Sequence, residues 1–216
     1  MHPFVYLASQ SPRRRQLLEQ IGVAYELLLP DADEDAESLE AAQPGEDPAT
    51  YVQRVTQAKA DAAVRRWQAR QQCPLLRPAP ILCADTTVAL HGQILGKPTD
   101  AAEAADMLRR LSGQRHEVLT ALVLHDPSSG HRQSACSVSE VWFDALDEAC
   151  IAAYIATGEP FGKAGAYGIQ GAAALLVRRM AGSFSGIVGL PLFELGQMLR
   201  AGAGASAGEQ AAKTGK

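Results

Sequence analysis

Residues Ser9 to Arg15, reading Ser-Gln-Ser-Pro-Arg-Arg-Arg, carry the first chemistry visible along the chain. They follow a short apolar run, Phe4 to Ala8, and precede Leu17, Leu18 and Ile21, spaced as one face of a helix that closes at Gly22. Ser11 is placed to cap that helix, and Pro12 suits its first position, where a missing N–H costs nothing. A helix start carries partial positive charge and normally attracts Asp or Glu. Here Arg13, Arg14 and Arg15 fill the first turn instead. Two readings account for this: a solvated basic turn, or an external anion held jointly by free backbone N–H groups and guanidinium forks. The second makes the segment a phosphate site.

Asp85 is the sharpest single residue, a carboxylate inside the apolar run Ile81–Leu90. Such a group is expensive to bury unless it is paired, metal-bound or open to a cleft. It is either a strand-end aspartate bonded to backbone, or a general base or metal ligand. Glu34, in an acidic loop, is a weaker candidate whose alternative is a solvated surface; two carboxylates beside phosphate oxygens could hold one hard cation. Lys59 lies on a helix among alanines and reads equally well as an exposed helix residue. Lys97 sits between Gly96 and Pro98, which excludes a Walker P-loop, where Ser or Thr follows the lysine. Lys163 opens the glycine-rich Lys-Ala-Gly-Ala-Tyr-Gly-Ile-Gln-Gly, whose glycines allow close backbone approach to a ligand but lack the strand–turn–helix setting of a dinucleotide fingerprint. With Arg13 and Arg14, these three lysines make a set of cations able to neutralise a nucleoside triphosphate carrying a divalent metal.

The elements that must position these groups alternate between strand and helix. The pattern predicts a strand over about 3–9, a helix over about 12–21 and a strand over about 24–29. The acidic loop from Asp31 to Asp47 follows, its charge expected on solvated surface, and Asp47-Pro48 opens a helix running to about Gln71. A central strand covers 81–90, a helix about 101–111, and two long strands about 115–126 and 131–143, antiparallel by their adjacency. A helix over about 147–157, an apolar strand near 173–179 and a helix after Pro191 complete a mixed-sheet α/β domain over about 1–200. Residues 201–216, rich in Ala, Gly and Lys, are expected to be a disordered tail.

Composition bounds the function. The chain has 216 residues and a net charge of −4, which argues against broad adhesion to nucleic acid or anionic membrane. No apolar run reaches the roughly 20 residues of a spanning helix, and the N-terminus lacks a signal-peptide pattern, so a cytoplasmic location is expected. Cys73, Cys83, Cys136 and Cys150 have no Cys-x-x-Cys spacing and read as reduced, small apolar residues.

The motifs Leu7-Ala8-Ser9-Gln10-Ser11-Pro12-Arg13-Arg14, Ala84-Asp85-Thr86, Leu95-Gly96-Lys97-Pro98, Leu111-Ser112-Gly113 with His116 and Thr120, Lys163 to Gly171, and Gly182-Ser183-Phe184 through Val188-Gly189-Leu190-Pro191-Leu192 together resemble the Maf nucleotide pyrophosphatases. The matches run in the family's order from Leu7 to about Leu199. The resemblance implies a two-lobed α/β fold around an elongated mixed sheet, with a nucleotide in the cleft between the lobes. It further implies hydrolysis between the α- and β-phosphates to a nucleoside monophosphate and pyrophosphate with a divalent metal, Mg²⁺ or Mn²⁺, in the service of cleansing nucleotide pools. The Gly-Ala-Tyr-Gly-Ile-Gln-Gly form is similar to the branch acting on dTTP and UTP. Carried over, Asp85 is the proton acceptor, Arg13, Thr86 and Gln170 bear on substrate choice, and Ser11, Arg14, Lys59, Lys97 and Lys163 handle phosphates. Glu34 helps Asp85 hold metal or water. The Gln170 amide offers donor and acceptor to a pyrimidine edge. Many members carry Asp before the lysine of the Lys-Ala-Gly motif, where this chain has Gly162. Alternatives are a 7-methyl-GTP or other modified-nucleotide pyrophosphatase, and a non-catalytic regulator of septum formation. A homodimer is left open.

Overall fold

The computed structural model describes residues 4–31, 34–35, 38–71 and 76–213, with side chains through 202. One seven-stranded sheet organises it, built from β1 (Phe4–Leu7), β2 (Ala24–Leu27), β3 (Ile81–Leu90), β4 (Gln93–Leu95), β5 (Arg115–His125), β6 (Arg132–Phe143) and β7 (Val177–Ala181). The strand order is β2-β1-β3-β5-β6-β7, with β4 also paired to β3. β1 runs parallel to β2 and β3, and every other pairing is antiparallel, so the sheet is mixed as the alternation implied. The helices are α1 (Pro12–Gln20), α2 (Pro48–Arg70), α3 (Ala101–Leu111), α4 (Glu148–Ala156), α5 (Phe184–Val188) and α6 (Leu192–Lys213). Cys73 lies outside the described residues. So do the side chains of most of the expected disordered tail, although the α6 backbone passes residue 200.

Local sequence sets these boundaries. Asp47 caps α2 by accepting from the Ala49 and Thr50 amides, and Asp100 and Asp147 do the same for α3 and α4. Gly22 closes α1 at φ +68, in the left-handed region where glycine is at ease. Two elements differ from the pattern. Ala172–Leu175 forms a 3₁₀ turn, and the last strand begins only at Val177, because the alanines lack the branched side chains a strand surface packs and the Ala172 amide is taken by Glu159. The short helix α5 has no apolar period long enough to read; it rests on the Ser183 hydroxyl accepting from the Gly186 amide.

Packing follows the period of two along the strands. Leu82 and Ala84 of β3 face Leu17, Leu18, Val188 and Leu195 on one side of the sheet, where α1, α5 and α6 lie. Ile81 and Cys83 face Ala60, Ala63 and Trp67 of α2 on the other. A further core joins Val88 and Leu90 to Leu108, Phe143, Ile151 and Tyr167, gathering α3 and α4 at the far end of the sheet. These are the two lobes. Along one edge β3 pairs with β5 from Ile81 to Ala89 without a break. Along its other edge it pairs with β1 only at Ile81 and Leu82, and with β4 only from Val88 to Leu90. Among the described residues the segment from Cys83 to Thr87 therefore has no strand on that side, and a cleft opens there. No helix among the described residues is long and apolar enough to cross a membrane.

His116 lies beneath this cleft, 1% exposed, with Nε2 2.8 Å from the Tyr167 hydroxyl and Phe143 edge-on to its ring. Burial lowers its pKa to about 4, from an ordinary 6.5. Below pH 6.5 the unfolded chain takes up a proton that the folded chain refuses, so folding stability falls as pH drops toward 4, by about 3 kcal/mol if the whole shift is expressed. Urea denaturation across that window checks this, and His116→Phe should flatten the slope.

Candidate active site

A cavity of about 1310 Å³ fills the gap beside β3. It is lined by Ser11, Arg13 and Arg14 from the start of α1, by Lys59 from α2, and by Asp85 and Thr86 from β3. Lys97, Lys163, Gln170 and Glu34 complete its walls. Every candidate singled out by sequence thus borders one space, though their interactions differ from those expected in several places.

Ser11 occupies the N-cap position of α1 but its side chain accepts no capping bond. The nearby hydroxyl that acts is that of Ser9, which accepts from the Ser11 amide at 3.2 Å. The amides of Arg13 and Arg14 are left without a partner among the described residues, as an anion site at a helix start requires. Arg13 holds its place by donating from Nε to the Val188 carbonyl at 3.3 Å. Burial pulls its pKa down, opposed by the negative charge of Glu159.

Arg14 is the tie across the cleft. Its Nε donates to the Gly189 carbonyl at 2.8 Å, Nη1 to Ser9 Oγ at 3.0 Å and Nη2 to Thr86 Oγ1 at 3.4 Å. A guanidinium has five N–H donors, so two remain for a ligand. The Thr120 hydroxyl oxygen stands 2.7 Å from the Gly186 carbonyl and 2.9 Å from Thr86 Oγ1. A carbonyl can only accept, so the single Thr120 hydrogen goes to Gly186 and the Thr86–Thr120 bond uses the hydrogen of Thr86. The Thr86 hydrogen is thereby spent inside the protein, while its oxygen accepts from Arg14 on the cavity wall.

Period two sends Asp85 to the opposite face from Thr86, toward α2. There Lys59 Nζ lies 2.5 Å from Asp85 Oδ1 and 2.7 Å from Glu40 Oε1, while Lys97 Nζ lies 2.5 Å from Glu40 Oε2. Lys59 is therefore no free surface residue. The second Asp85 oxygen takes no hydrogen bond from the described residues and is available to a substrate or water. Burial pushes the Glu40 pKa up, but the ammonium groups of Lys59 and Lys97 overcome this and hold it below the ordinary carboxylate value. Glu34, by contrast, gives both oxygens to Arg66, at 2.8 and 2.6 Å, and that fork holds its pKa down at about 2. The carboxylate that joins Asp85 is Glu40. Sequence reasoning missed it because Glu40 is one of several acids in the loop and nothing in their spacing marks the one that meets Lys59. The loop is also paired rather than simply solvated: Asp31 meets Arg70 and Glu46 meets Arg54.

On the far wall Gln170 is exposed and makes no side-chain hydrogen bond among the described residues. Lys163 donates to the Glu159 backbone carbonyl. Gly162 stands at φ +71 with open space around it, a backbone state that glycine adopts without strain.

For a hard divalent cation, Asp85 and Glu40 are suitable oxygen donors already gathered around one positive charge. No group of three or more His, Cys, Asp and Glu gathers as a metal site among the described residues. A cation here would complete its shell with phosphate oxygens and water, the habit of Mg²⁺. The donor set fits such an ion.

The profile of the family described as "Maf-like protein" matches residues 4–202. A dTTP/UTP pyrophosphatase of Cupriavidus pinatubonensis is 58% identical over 200 residues, covering 93% of this chain and 97% of the relative. One of Ralstonia nicotianae is 59% identical over 198 residues, covering 92% and 93%. One of Burkholderia pseudomallei is 58% identical over 200 residues, covering 93% and 94%.

Replacing Lys59 tests the charge arrangement. Lys59→Met should raise the Glu40 pKa, since a positive neighbour that favours the carboxylate is gone; ¹³C-detected titration of the Glu40 carboxyl reads this directly.

Proposed function

The chain belongs to the Maf-like protein family, and from that premise we propose that it hydrolyses dTTP and UTP to the nucleoside monophosphate and pyrophosphate. The observation that carries the reading is the placement of Asp85: a carboxylate with one oxygen fixed by Lys59 and one left open, beside a helix start with unpartnered amides and arginines. The identity to relatives named for this activity, across nearly their whole length, supports it.

The reaction is a single displacement at the α-phosphorus. Water attacks, its oxygen forms the new P–O bond, and the bond from the α-phosphorus to the bridging oxygen breaks, releasing pyrophosphate. Asp85 receives the proton of the attacking water. Lys59 aims that carboxylate, since its ammonium holds Oδ1 at 2.5 Å and leaves the other oxygen open. The free amides and remaining guanidinium donors at the start of α1 hold phosphate oxygens in preset positions, so charge developing on the leaving group meets donors needing no rearrangement. Lys97, half-exposed and paired with Glu40, adds a cation from the outer side, and Lys163 adds another once it leaves the Glu159 carbonyl. Asp85, with Glu40 beside it, would hold Mg²⁺ or Mn²⁺, which would supply charge neutralisation along the phosphates. Gln170 offers amide donor and acceptor to the pyrimidine edge, and Arg13 and Thr86 shape the same choice. With nucleoside triphosphates as substrates, the enzyme is assigned to the cytoplasm.

Pyrophosphate release from a panel of nucleoside triphosphates, with Mg²⁺ or Mn²⁺, tests the reading. Selective turnover of dTTP and UTP is expected, and Asp85→Asn should lower it by about a thousandfold while nucleotide binding persists. Full activity in that variant would remove Asp85 from the chemistry. Preference for 7-methyl-GTP would reassign the substrate.

A further inference from the structure

The loop carrying Gln170 has an unusual fastening. Glu159, just past the end of α4, turns its carboxylate onto the far end of the loop. Oε2 accepts from the Ala172 amide at 2.8 Å, and Oε1 accepts from the Tyr154 hydroxyl at 2.9 Å and more weakly from the Ala173 amide at 3.4 Å. The residue's own amide donates to Thr157 Oγ1 at 3.1 Å, and its carbonyl accepts from Lys163. One side chain thus pins residues 159 and 172 together, and the segment between them, which holds Lys163 and Gln170, becomes a closed loop on the cleft wall.

Gly171 records how tightly this is done. Its φ of −101° lies outside the left-handed region, and the space that a side chain would fill is occupied. A Cβ there would lie 2.1 Å from Glu159 Oε2. The carboxylate is seated where a side chain would have to be. Gln170 has no side-chain bond to steady it among the described residues, so its place in the cleft is set by the backbone alone. That backbone is fixed at Gly171 by a turn bond to the Gly168 carbonyl, and one residue later by Glu159.

From this we infer that Glu159 is a positioning residue for nucleobase selection: its carboxylate clasps the 160–172 loop shut so that Gln170 meets the base in one fixed place. The inference rests on the proposed reading of Gln170 as the group facing the pyrimidine. Its negative charge also lies near Arg13 and Lys163, whose cationic forms it favours against burial.

The test compares wild type with Glu159→Ala, Glu159→Gln and Tyr154→Phe, using dTTP, UTP and CTP as probes together with hydrogen exchange of the 168–175 backbone. In Glu159→Ala the KM for dTTP should rise about tenfold and the preference for dTTP over CTP should shrink by a similar factor, with kcat changed less. Exchange of 168–175 should quicken. Glu159→Gln, which keeps an oxygen for the amides, should restore most of both. Unchanged KM, preference and exchange in Glu159→Ala would overturn the inference, as would equal loss of kcat in Ala and Gln with no change in preference. Should Glu159→Ala not fold, Glu159→Gln and Tyr154→Phe carry the decision: small parallel losses in preference and protection support the clasp, and wild-type values in both overturn it. If wild type cleaves none of the nucleotides, the proposed activity fails separately. The clasp is then judged on exchange, where quickening in Glu159→Ala reversed by Glu159→Gln supports it and no change sinks it.

Discussion

The site exists because β3 lacks a neighbour for part of one edge. From Cys83 to Thr87 the strand is paired with β5 but, among the described residues, with no strand on its other side, since β1 ends opposite Leu82 and β4, running back, ends opposite Val88. A break of this kind lets a strand buried in the middle of a sheet reach a ligand, and it is where chain reversals bring loop ends together in open α/β sheets. The turn after β1 enters from one direction and the Val188–Gly189 turn from another. Arg14 bridges them, bonded to Ser9, Thr86 and Gly189 at once. Because successive strand residues point to opposite faces, Asp85 is handed to α2 while Thr86 is handed to α1 and α5. The two faces of one strand thereby separate the carboxylate that meets Lys59 from the hydroxyl that meets Arg14.

That division also governs the charges. The chain is mildly acidic, yet cations converge on the cleft. Left alone they would repel one another. Burial already pulls the Arg14 pKa down and Arg13 adds to this, while Asp85 opposes both. Glu40 lies between Lys59 and Lys97 and pairs with both. The carboxylates of the cleft thus serve as counter-charges for its lysines.

Much of this was legible before any coordinates. A carboxylate in an apolar strand announces itself, because burying it is costly without a purpose, and Asp85 is where that argument pointed. Asp47-Pro48 and Ser11-Pro12 marked two helix starts correctly. The departures have two causes. Whether Ser9 or Ser11 supplies the useful hydroxyl turns on nearby contacts, the Ser11 amide and the Arg14 guanidinium. Whether Glu34 or Glu40 approaches Asp85 depends on how a loop lies against a helix distant in sequence, and no local pattern encodes it. The Ala172–Leu175 turn was misread as strand for the same reason: its amide partner is Glu159, thirteen residues upstream of Ala172.

The acidic segment before α2 pairs with that helix in reverse order: Glu46 with Arg54, Glu40 with Lys59, Glu34 with Arg66, Asp31 with Arg70. It is a ladder of charges with the loop running antiparallel to the helix. Arg54 to Arg70 covers about 24 Å of helix at roughly 1.5 Å per residue. The loop from Asp31 to Glu46 could span about 50 Å if extended at roughly 3.3 Å per residue. The chain between the outermost pairs is thus about twice as long as the stretch of helix it is tied to, so its length does not dictate where the pairs form. Moving a cation one place along α2 would, since that swings the charge about 100° around the helix and away from its acidic partner.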